Sequence, residues 1–447
     1  RPVSSHFKEC LHKRFEVTDE QIFLSRSAPL RMSYAFSLGD YLSVGRRSRL
    51  SDPPFIPQQP AMLPAGQSLL KTALQRDVLL SYPYESMEPF LQMIREAAND
   101  PSVLSVRITI YRLASKAKLV EYLCAAAENG KDVTVLIELR ARFDEQNNID
   151  WSERLEEAGC KIIYGFEDYK VHSKICLITR RERGGVRYIT QVGTGNYNEK
   201  TAEQYTDLML LTSDPAIGRD AARTFDRLAR GETVGETESL WLAPEGYKPQ
   251  LMAHIEAQIR LGAAGYIGIK VNAMNDADIM AQLVRASAAG TEVELFVRGI
   301  CCLRPGVPGR TEHISVRSII GRYLEHERIF VFGRGEAQEV FIGSGDLLER
   351  NTVRRIEAFT AVTDPNARAE VLEVLSAMRR DNRQAWIMQP DGSYLRPKPT
   401  GEPFVSQTYL HTYFAGCTVQ KPAASAPSQP QKKLPWWRRL WNWLKNN

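Results

Sequence analysis

Two histidines, each with a cation two positions later, are the residues whose types and spacing best suit chemistry. Lys174 follows His172, Arg328 follows His326, and each pair opens an apolar stretch typical of a β-strand. Residues two positions apart on a strand lie on the same face, so each histidine shares its face with a cation. A neutral imidazole attacks phosphorus readily, and a neighbouring positive charge neutralises the incoming phosphate. The pattern predicts phosphoryl transfer, with His172 as the nucleophile.

A glycine-rich turn follows each histidine along the chain. The first turn is Gly-Thr-Gly-Asn and ends at Asn196, and the second is Gly-Ser-Gly-Asp and ends at Asp346. Glycine lets the backbone approach an anion closely, and the hydroxyl and amide side chains add hydrogen bonds. A single histidine at a strand edge is more often an ordinary surface or core residue. Two matched instances favour a catalytic pair.

Arginines cluster where the predicted strands end. Arg112 ends the first strand, Arg140 and Arg142 follow the next one, and Arg298 takes a similar place in the second half. Ligands bind at the carboxyl ends of strands in α/β domains, and guanidinium groups suit phosphate oxygens. Any one of these arginines is equally well explained by a surface ion pair, for example with Asp144. Their repetition at strand ends favours an anion site.

Two carboxylates, Asp207 and Glu357, follow the two glycine turns in equivalent places. Each is a candidate to orient a histidine by accepting the N–H of its second ring nitrogen. The alternative is a strand-end carboxylate that pairs with a nearby arginine such as Arg355. The sequence leaves both interpretations open.

Strands and helices alternate around these residues, and the same order occurs twice. A strand, a helix and a strand are predicted for residues 103–111, 116–128 and 132–139, and again for 266–271, 276–289 and 292–297. An internal repeat of this size predicts an α/β fold of two similar domains in tandem, with the active site in the cleft between them.

The repeat and the changes in composition divide the chain into four parts. Residues 1–58 contain the end of a preceding domain and a proline-rich connection, 59–238 and 239–416 are the two α/β domains, and 417–447 are a low-complexity linker with a basic, tryptophan-rich tail. The chain begins at Arg1 without the pattern of a secretory leader. We therefore expect it to start inside a longer protein.

The composition excludes several classes of protein. Of the 447 residues, 43% are hydrophobic and 25% are charged, which is typical of a globular protein. The net charge of +5 is matched by the five cations of the last sixteen residues, so the body has no excess positive charge and we expect no nucleic-acid binding. The seven cysteines are scattered without a C-x-x-C pair, which predicts reduced thiols and no zinc site.

Several long stretches surround these residues. They are Tyr82-Pro-Tyr-Glu-Ser, Ile110-Tyr-Arg, Glu138-Leu-Arg-Ala-Arg-Phe-Asp-Glu, His172-Ser-Lys, Gly193-Thr-Gly-Asn-Tyr-Asn-Glu-Lys-Thr-Ala, Tyr205-Thr-Asp, Val297-Arg-Gly-Ile-Cys-Cys-Leu-Arg-Pro-Gly and Leu324-Glu-His. Together they resemble the bacterial polyphosphate kinases of the first type, whose catalytic core has the phospholipase D fold. The resemblance covers about residues 60–395, and residues 15–45 resemble the end of the helical domain that precedes that core.

The resemblance implies reversible transfer of the terminal phosphate of ATP to inorganic polyphosphate, with Mg²⁺ as cofactor. It implies that His172 becomes phosphohistidine and that Tyr205, Arg298 and His326 contact ATP. It assigns Arg112 and Arg142 to the magnesium site. Because cations are poor metal ligands, we expect these two arginines to hold phosphate oxygens that share the ion.

The expected mechanism assigns different roles to the two halves. Arg112, Arg142, Arg298 and Lys174 spread the charge of the transition state, while His326 handles a proton or stabilises the leaving group. The second motif has Arg328 and Asp346 where the phospholipase D pattern has Lys and Asn. The inequality favours one nucleophile and one helper. The family's adenine-contacting Asn belongs to an N-terminal domain outside this chain, so we expect only part of the nucleotide pocket here.

Two other functions stay open at this stage. A phosphodiesterase of the phospholipase D type would use the same histidine nucleophile on a lipid or a nucleic acid. A fragment that binds ATP or polyphosphate without turnover is the non-enzymatic alternative. The long stretches shared with the kinases, and the arginines suited to a chain of phosphates, favour the kinase.

Partners and location are expectations of the same kind. The resemblance implies ATP, ADP and polyphosphate as partners and a homo-oligomer, either dimer or tetramer. The scattered, reduced cysteines indicate the cytoplasm. Residues 434–447 are basic and carry four of the seven tryptophans. They are interpreted as a disordered end, as a polyphosphate contact, or as an amphipathic segment that binds the inner face of the membrane.

Overall fold

The computed structural model describes residues 4–19, 22, 37–38, 41–42, 44–114, 117–139, 145–398 and 401–416. The chain splits into two units, Arg1–Ile56 and Pro57–Asn447. The smaller unit contains helices α1 (Ser5–Phe15) and α2 (Val44–Leu50). The Ser4 hydroxyl accepts the Phe7 amide and so caps the start of α1. Most of residues 15–45, predicted to end a helical domain, lies outside the described residues.

The first half of the larger unit is an α/β domain around a sheet with the strand order β1-β8-β7-β6-β2-β3-β4. Its strands are β1 (Val78–Tyr82), β2 (Val103–Ile110), β3 (Asp132–Ile137), β4 (Lys161–Tyr164), β5 (Lys170–Val171), β6 (Ile175–Glu182), β7 (Gly185–Gly193) and β8 (Tyr205–Thr212). Its helices are α3 (Leu69–Ala73), α4 (Glu88–Asn99), α5 (Lys118–Glu128), α6 (Glu145–Glu157), α7 (Glu199–Ala202) and α8 (Pro215–Leu228). Helices cover this sheet, so its central strands are apolar on both faces.

The second half is an α/β domain around a sheet with the order β19-β18-β12-β11-β10-β14-β15-β17-β9. Its strands are β9 (Trp241–Leu242), β10 (Tyr266–Val271), β11 (Glu292–Val297), β12 (Ile314–Ile319), β13 (Leu324–Glu325), β14 (Ile329–Phe332), β15 (Glu339–Gly343), β16 (Arg355–Ile356), β17 (Ala358–Ala361), β18 (Ala385–Met388) and β19 (Tyr394–Leu395). Its helices are α9 (Tyr247–Leu261), α10 (Ala277–Ala288), α11 (Glu349–Val353), α12 (Pro365–Arg380) and α13 (Ser406–Gly416).

The strands of the first sheet correspond in order to strands of the second, which has β18 and β19 in addition. This correspondence confirms the predicted tandem α/β domains. Strands β2, β3 and β4 are parallel, as are β10, β11 and β12. On the other side of β2, strands β6, β7 and β8 are each antiparallel to their neighbours. They correspond to β14, β15 and β17, which are arranged in the same way beside β10. Helices α8 and α12 begin alike after the last of these strands, each with an aspartate cap, Asp214 or Asp364, followed by proline.

Short strands link the two domains across the predicted cleft. Strand β5 pairs in parallel with β16, so that Lys170 lies opposite Arg355. Strand β13 pairs in parallel with β8, so that Leu324 lies opposite Tyr205. Each histidine therefore follows a strand that is hydrogen-bonded to the other domain. This reciprocal pairing brings the two halves of the site together.

Some elements differ from the sequence prediction. The sequence predicts a helix for residues 151–158, whereas helix α6 begins at Glu145. Its first turn is polar, so no apolar period marks the start. The sequence also predicts a strand for residues 207–211, whereas β8 begins at Tyr205, where it pairs with β13. Among the residues that the structure describes, no helix has both the length and the apolar character needed to cross a bilayer.

Candidate active site between the two domains

His172 is held by the second domain. Its amide donates to the carbonyl oxygen of Ile356 at 2.9 Å, and its Nδ1 lies 2.9 Å from Glu357 Oε2. Glu357 is fully buried and also accepts hydrogen bonds from Ser344 Oγ and from Asn351 Nδ2, the latter at 2.6 Å. An ionised carboxylate in this place fixes the proton of His172 on Nδ1. The nitrogen Nε2 has no hydrogen-bond partner in the described part of the chain, so its lone pair is available.

His326 is held in the same way by the first domain. Its Nδ1 lies 2.9 and 3.0 Å from the two carboxylate oxygens of Asp207. Thr194 Oγ1 donates to Asp207 at 2.6 Å and accepts the Leu208 amide at 2.9 Å. Each carboxylate is therefore fixed by a hydroxyl group of its own domain and accepts a hydrogen bond from the histidine of the other domain.

These contacts bear on the two interpretations of Asp207 and Glu357. Both carboxylates lie within hydrogen-bonding distance of a histidine, as the orienting hypothesis requires. Glu357 also lies 3.9 Å from Arg355 Nη1, which is longer than its 2.9 Å contact with His172 Nδ1. The ion pair with arginine thus accompanies the histidine contact.

Glycine is required at the turn beside Asp207. A Cβ atom at Gly195 would lie 2.2 Å from Asp207 Oδ2, well inside van der Waals contact. The equivalent Gly345 is less constrained, because its Cβ would meet Phe359 at 3.1 Å and Glu357 Cγ at 3.3 Å. The turns thus hold the orienting carboxylates close to the backbone.

The two cations predicted beside the histidines make different contacts. Lys174 is buried, donates to the carbonyl oxygen of His172, and lies 5.6 Å from the centre of the Tyr111 ring. Arg328 forms an ion pair with Asp346 at 3.1 and 3.2 Å. Its Nη1 also lies 3.3 Å from both ring nitrogens of His326. Only the second cation contacts the imidazole of its histidine.

The residues expected to contact ATP lie on the His326 side. The Tyr205 ring centre is 5.3 Å from that of His326. Arg298 Nε donates to Asn272 Oδ1 at 2.7 Å and to the carbonyl oxygen of Glu325. Asn272 Nδ2 donates in turn to the carbonyl oxygen of His326 at 3.2 Å. Tyr205 and Arg298 are thus positioned around one histidine.

The residues expected at the magnesium site are only partly described. Arg112 is half-buried next to Tyr111, with its guanidinium 5.6 Å from the ring centre. Arg142 and Arg140 lie outside the described residues. Within the described ranges, no group of three or more His, Cys, Asp or Glu residues could hold a metal ion.

Burial controls the charge of the histidines. It lowers the pKa of His172 to about 3, with Glu357 opposing the shift and Lys174 adding to it. It also lowers the pKa of His326, against the effect of Asp207. Both imidazoles are therefore neutral near pH 7, and one ring nitrogen of each keeps its lone pair.

Burial and neighbouring charges also shift the pKa values of Lys174 and of the two carboxyls that contact the histidines. Burial lowers the pKa of Lys174 to about 7, with Glu357 opposing the shift. Burial opposes ionisation of Glu357 and Asp207, but contacts with their histidines and with nearby cations outweigh it and lower the pKa of both carboxyls. The orienting carboxylates stay ionised while Lys174 is poised near neutrality.

The strand register identifies residues that the sequence prediction missed. Ile110 pairs with Ile137, and Val271 pairs with Val297, so Tyr111 corresponds to Asn272 and Glu138 to Arg298. Arg298 therefore follows the strand that corresponds to β3, as predicted, and its exact counterpart in the register is Glu138. The Tyr111 ring lies 4.9 Å from the His172 ring, edge to face. Its position one residue after a buried strand was the available signal.

Comparisons with known proteins agree on one family. Residues 68–233 match the family described as polyphosphate kinase C-terminal domain 1, and residues 240–407 match C-terminal domain 2. A polyphosphate kinase of Rhodopirellula baltica is 41% identical over 401 residues, which cover 89% of this chain and 46% of that protein. A polyphosphate kinase of Pseudomonas aeruginosa is 40% identical over 395 residues, or 88% of this chain and 56% of that protein.

A solved structure agrees with the sequence matches. The crystal structure of polyphosphate kinase from Porphyromonas gingivalis superimposes with a TM-score of 0.77 and 34% identity, over 84% of this chain and 58% of that one. The chain spans about half the length of the curated relatives that it matches.

Proposed function

The chain belongs to the polyphosphate kinase family, and from this premise we propose that it transfers the γ-phosphate of ATP to inorganic polyphosphate, reversibly, through phosphohistidine at His172. The proposal is supported by one observation above all. His172 has an oriented, neutral ring with an uncommitted Nε2, whereas the His326 ring nitrogens face Asp207 and Arg328. One histidine is thus equipped as the nucleophile and the other as its helper.

In the first step, Nε2 of His172 attacks the γ-phosphorus in line. The N–P bond forms as the bond from phosphorus to the β,γ-bridging oxygen breaks, and ADP leaves with that electron pair. Glu357 holds the Nδ1 proton and stabilises the positive charge that develops on the ring. In the second step, the terminal oxygen of polyphosphate attacks phosphorus, the N–P bond breaks, and His172 returns to its neutral form.

Cations on both sides of the cleft neutralise the phosphate during transfer. Lys174 lies beside His172, and Arg298 lies beside the strand that carries His326. Arg112 and Arg142 are proposed to bind phosphate oxygens, in line with their charge. Magnesium enters this proposal as part of the Mg–nucleotide substrate, and no step depends on a protein-bound ion.

The His326 side is proposed to receive the nucleotide. Tyr205 offers an aromatic face, and Arg298 has its Nε anchored while its two terminal guanidinium nitrogens remain to bind phosphate. His326 is placed to handle a proton as an acceptor or to stabilise the leaving ADP. A homo-oligomer and contact of residues 434–447 with an anionic membrane remain further proposals. Those tail residues lie outside the described part of the chain. Absence of co-sedimentation with anionic liposomes at low salt would end the membrane proposal.

A labelling experiment tests the proposed reaction against its alternatives. The chain, and a longer version extended at its N-terminus, are incubated with γ-labelled ATP and Mg²⁺. The kinase proposal expects acid-labile, base-stable label on protein, and its transfer to added polyphosphate. Cleavage of a phosphodiester without label would support the phospholipase D alternative. Label on the longer version alone would favour the alternative in which this chain binds ATP or polyphosphate without turnover.

A further inference from the structure

A buried cluster of three charged residues lies behind His326. Strand alternation directs His326 and Arg328 to the cleft and turns Glu325 and Glu327 to the opposite side. Both glutamates and the facing Lys270 of β10 are at most 2% exposed. The proposed mechanism uses none of these three groups, although two of them flank His326 in sequence.

Not every polar atom of this cluster has a hydrogen-bond partner among the described residues. Lys270 Nζ lies 3.8 Å from Glu325 Oε2 and 3.8 Å from Glu327 Oε1, and donates to the carbonyl oxygen of Glu327 at 3.3 Å. Gln407 Nε2 donates to Glu325 Oε1 at 2.7 Å. Glu325 Oε2 and Glu327 Oε1 are buried and accept no hydrogen bond from the described residues. A proton on one of the two carboxyls would supply the missing donor.

Glu327 is connected directly to the backbone of the helper histidine. Its Oε2 accepts the His326 amide at 3.1 Å and the Thr206 hydroxyl. Thr206 precedes Asp207, the carboxylate that orients the His326 ring. One carboxylate thus fixes both His326 and the strand that carries its partner, within the pairing of β13 with β8.

Charge balance favours one retained proton. Two ionised carboxylates and one ammonium would leave a net negative charge in a buried place, which is costly. Burial, and then the neighbouring Glu327, raise the pKa of Glu325 to about 8, while Lys270 opposes the shift.

The other groups that face the pair do not supply a second charge-neutralising contact. Thr206 of β8 and Gln407 of α13 are uncharged, and burial raises the pKa of the Tyr84 phenol well above its usual value. Arg298 donates from Nε to the main chain of Glu325 rather than to its carboxyl. Asp207 lines the same small internal cavity as Glu327, and its carboxylate adds a further negative charge near the pair.

We propose that Glu327 is a positioning residue for His326, and that the Glu325–Glu327 pair shares one proton whose release alters the surroundings of that histidine. Below the transition the cluster is neutral and Glu327 keeps its hydrogen bond to the His326 amide. Above it, repulsion between two buried carboxylates disturbs that contact. The enzymatic consequence rests on the proposed function, whereas the coupling between the pair and His326 does not.

Histidine NMR of the full chain tests the coupling without an activity assay. The Cε1–H resonance of His326, assigned by its loss in His326→Gln, is followed from pH 5 to pH 10. The wild type is expected to show a step centred near pH 8, the value of Glu325. Glu325→Gln keeps the size of the side chain and removes the shared proton, so the step is expected to disappear. A step near pH 7 from Lys174 remains in both proteins.

Glu85 provides a matched control. It is buried, burial raises its pKa to about 8, and its carboxylate accepts the Ala61 and Ser81 amides, each at 2.8 Å. Glu85→Gln is therefore expected to retain the His326 step. A wild-type resonance with no step near pH 8 would overturn the proposal, as would a step that survives Glu325→Gln or vanishes equally in Glu85→Gln.

An activity measurement separates this inference from the proposed function. If the chain is a kinase, kcat/KM for ATP shows a second fall near pH 8 in the wild type, beyond the fall above pH 7 that Lys174 causes, and Glu325→Gln removes the second fall alone. A protein without kinase activity but with the His326 step refutes the function and keeps the coupling. An active protein whose pH profile and resonance are both unchanged by Glu325→Gln refutes the coupling alone.

Discussion

The His172 side and the His326 side share one scaffold but fix their histidines with opposite chemistry. On the first side, the carboxylate of Glu138 accepts the amide of Val171, the residue before His172, at 3.0 Å. On the second side, the corresponding residue is Arg298, whose Nε donates to the carbonyl oxygen of Glu325, the residue before His326. An acceptor in one half and a donor in the other thus hold equivalent strand ends.

The cations beside the two histidines, Arg328 and Lys174, also have different surroundings. Arg328 is neutralised by Asp346 and lies against the His326 ring. Lys174 has no such carboxylate beside it, because the equivalent turn ends in Asn196, whose buried Oδ1 has no donor among the residues described. Among the residues described, His172 therefore has a ring nitrogen without a partner beside a lysine that forms no ion pair, whereas both ring nitrogens of His326 have partners. The asymmetry is therefore chemical rather than architectural.

The largest difference between the two sides is expected from removal of the orienting carboxylates. Glu357→Gln places an amide N–H against Nδ1 and favours the wrong tautomer of His172, so His172 labelling slows by about 10²- to 10⁴-fold. Asp207→Asn acts on the helper and slows it by about 10- to 100-fold. Single-turnover labelling with γ-labelled ATP measures both. Equal losses would contradict the assigned roles.

The buried ion pair of the second half gives the next effect. Asp346→Asn leaves Arg328 buried without its carboxylate and is expected to lower the free energy of unfolding by about 3–5 kcal/mol. The double variant Arg328→Lys, Asp346→Asn restores the Lys/Asn combination of the first half and recovers part of this loss. Urea unfolding measures both, with Glu238→Gln in an exposed ion pair as a nearly neutral control. Full additivity in the double variant would refute the coupling.

Glycine substitutions compare the two turns. Gly195→Ala forces a Cβ atom to 2.2 Å from Asp207 Oδ2 and is expected to cost about 2–3 kcal/mol of folding free energy. Gly345→Ala meets its neighbours at 3.1 Å or more and is expected to cost about 1 kcal/mol. The urea unfolding midpoints of the two variants measure these costs. A larger loss of stability in Gly345→Ala than in Gly195→Ala would contradict the geometry.

The smallest effect concerns the charge of Lys174. Its pKa is lowered to about 7, so its charge is present below that pH and is lost as the pH rises above it. We therefore expect kcat/KM for ATP to fall by up to about tenfold per pH unit above pH 7. Lys174→Arg keeps the charge and should remove this fall, whereas Lys161→Arg at an exposed ion pair should not. A wild-type profile that is flat from pH 6.5 to 7.5 would contradict this role.

The sequence predicted the elements whose signals are local. Apolar periods and the duplicated motif indicated the tandem α/β domains and identified His172, His326, Asp207 and Glu357. It did not predict that each carboxylate serves the histidine of the other domain, because that exchange depends on the pairing of β5 with β16 and of β13 with β8, which are two residues long. Such short strands carry no periodic pattern.

Other misses have similar physical causes. Asn272 was overlooked because a single amide after a strand resembles many structural residues, and only its contacts with Arg298 and His326 distinguish it. Glu138 appeared inside an arginine-rich stretch, where its role as a backbone acceptor depends on Val171, distant in sequence.

The central claim, that the duplicated histidines have unequal roles, is tested most directly by mapping the phosphorylated residue. Wild type, His172→Ala, His326→Ala and the exposed control His313→Ala are each given γ-labelled ATP, and the labelled peptide is identified under conditions that preserve phosphohistidine. The account predicts label on His172 in the wild type, in His313→Ala and, more slowly, in His326→Ala, and none in His172→Ala. Label on His326, or label that persists in His172→Ala, would contradict it.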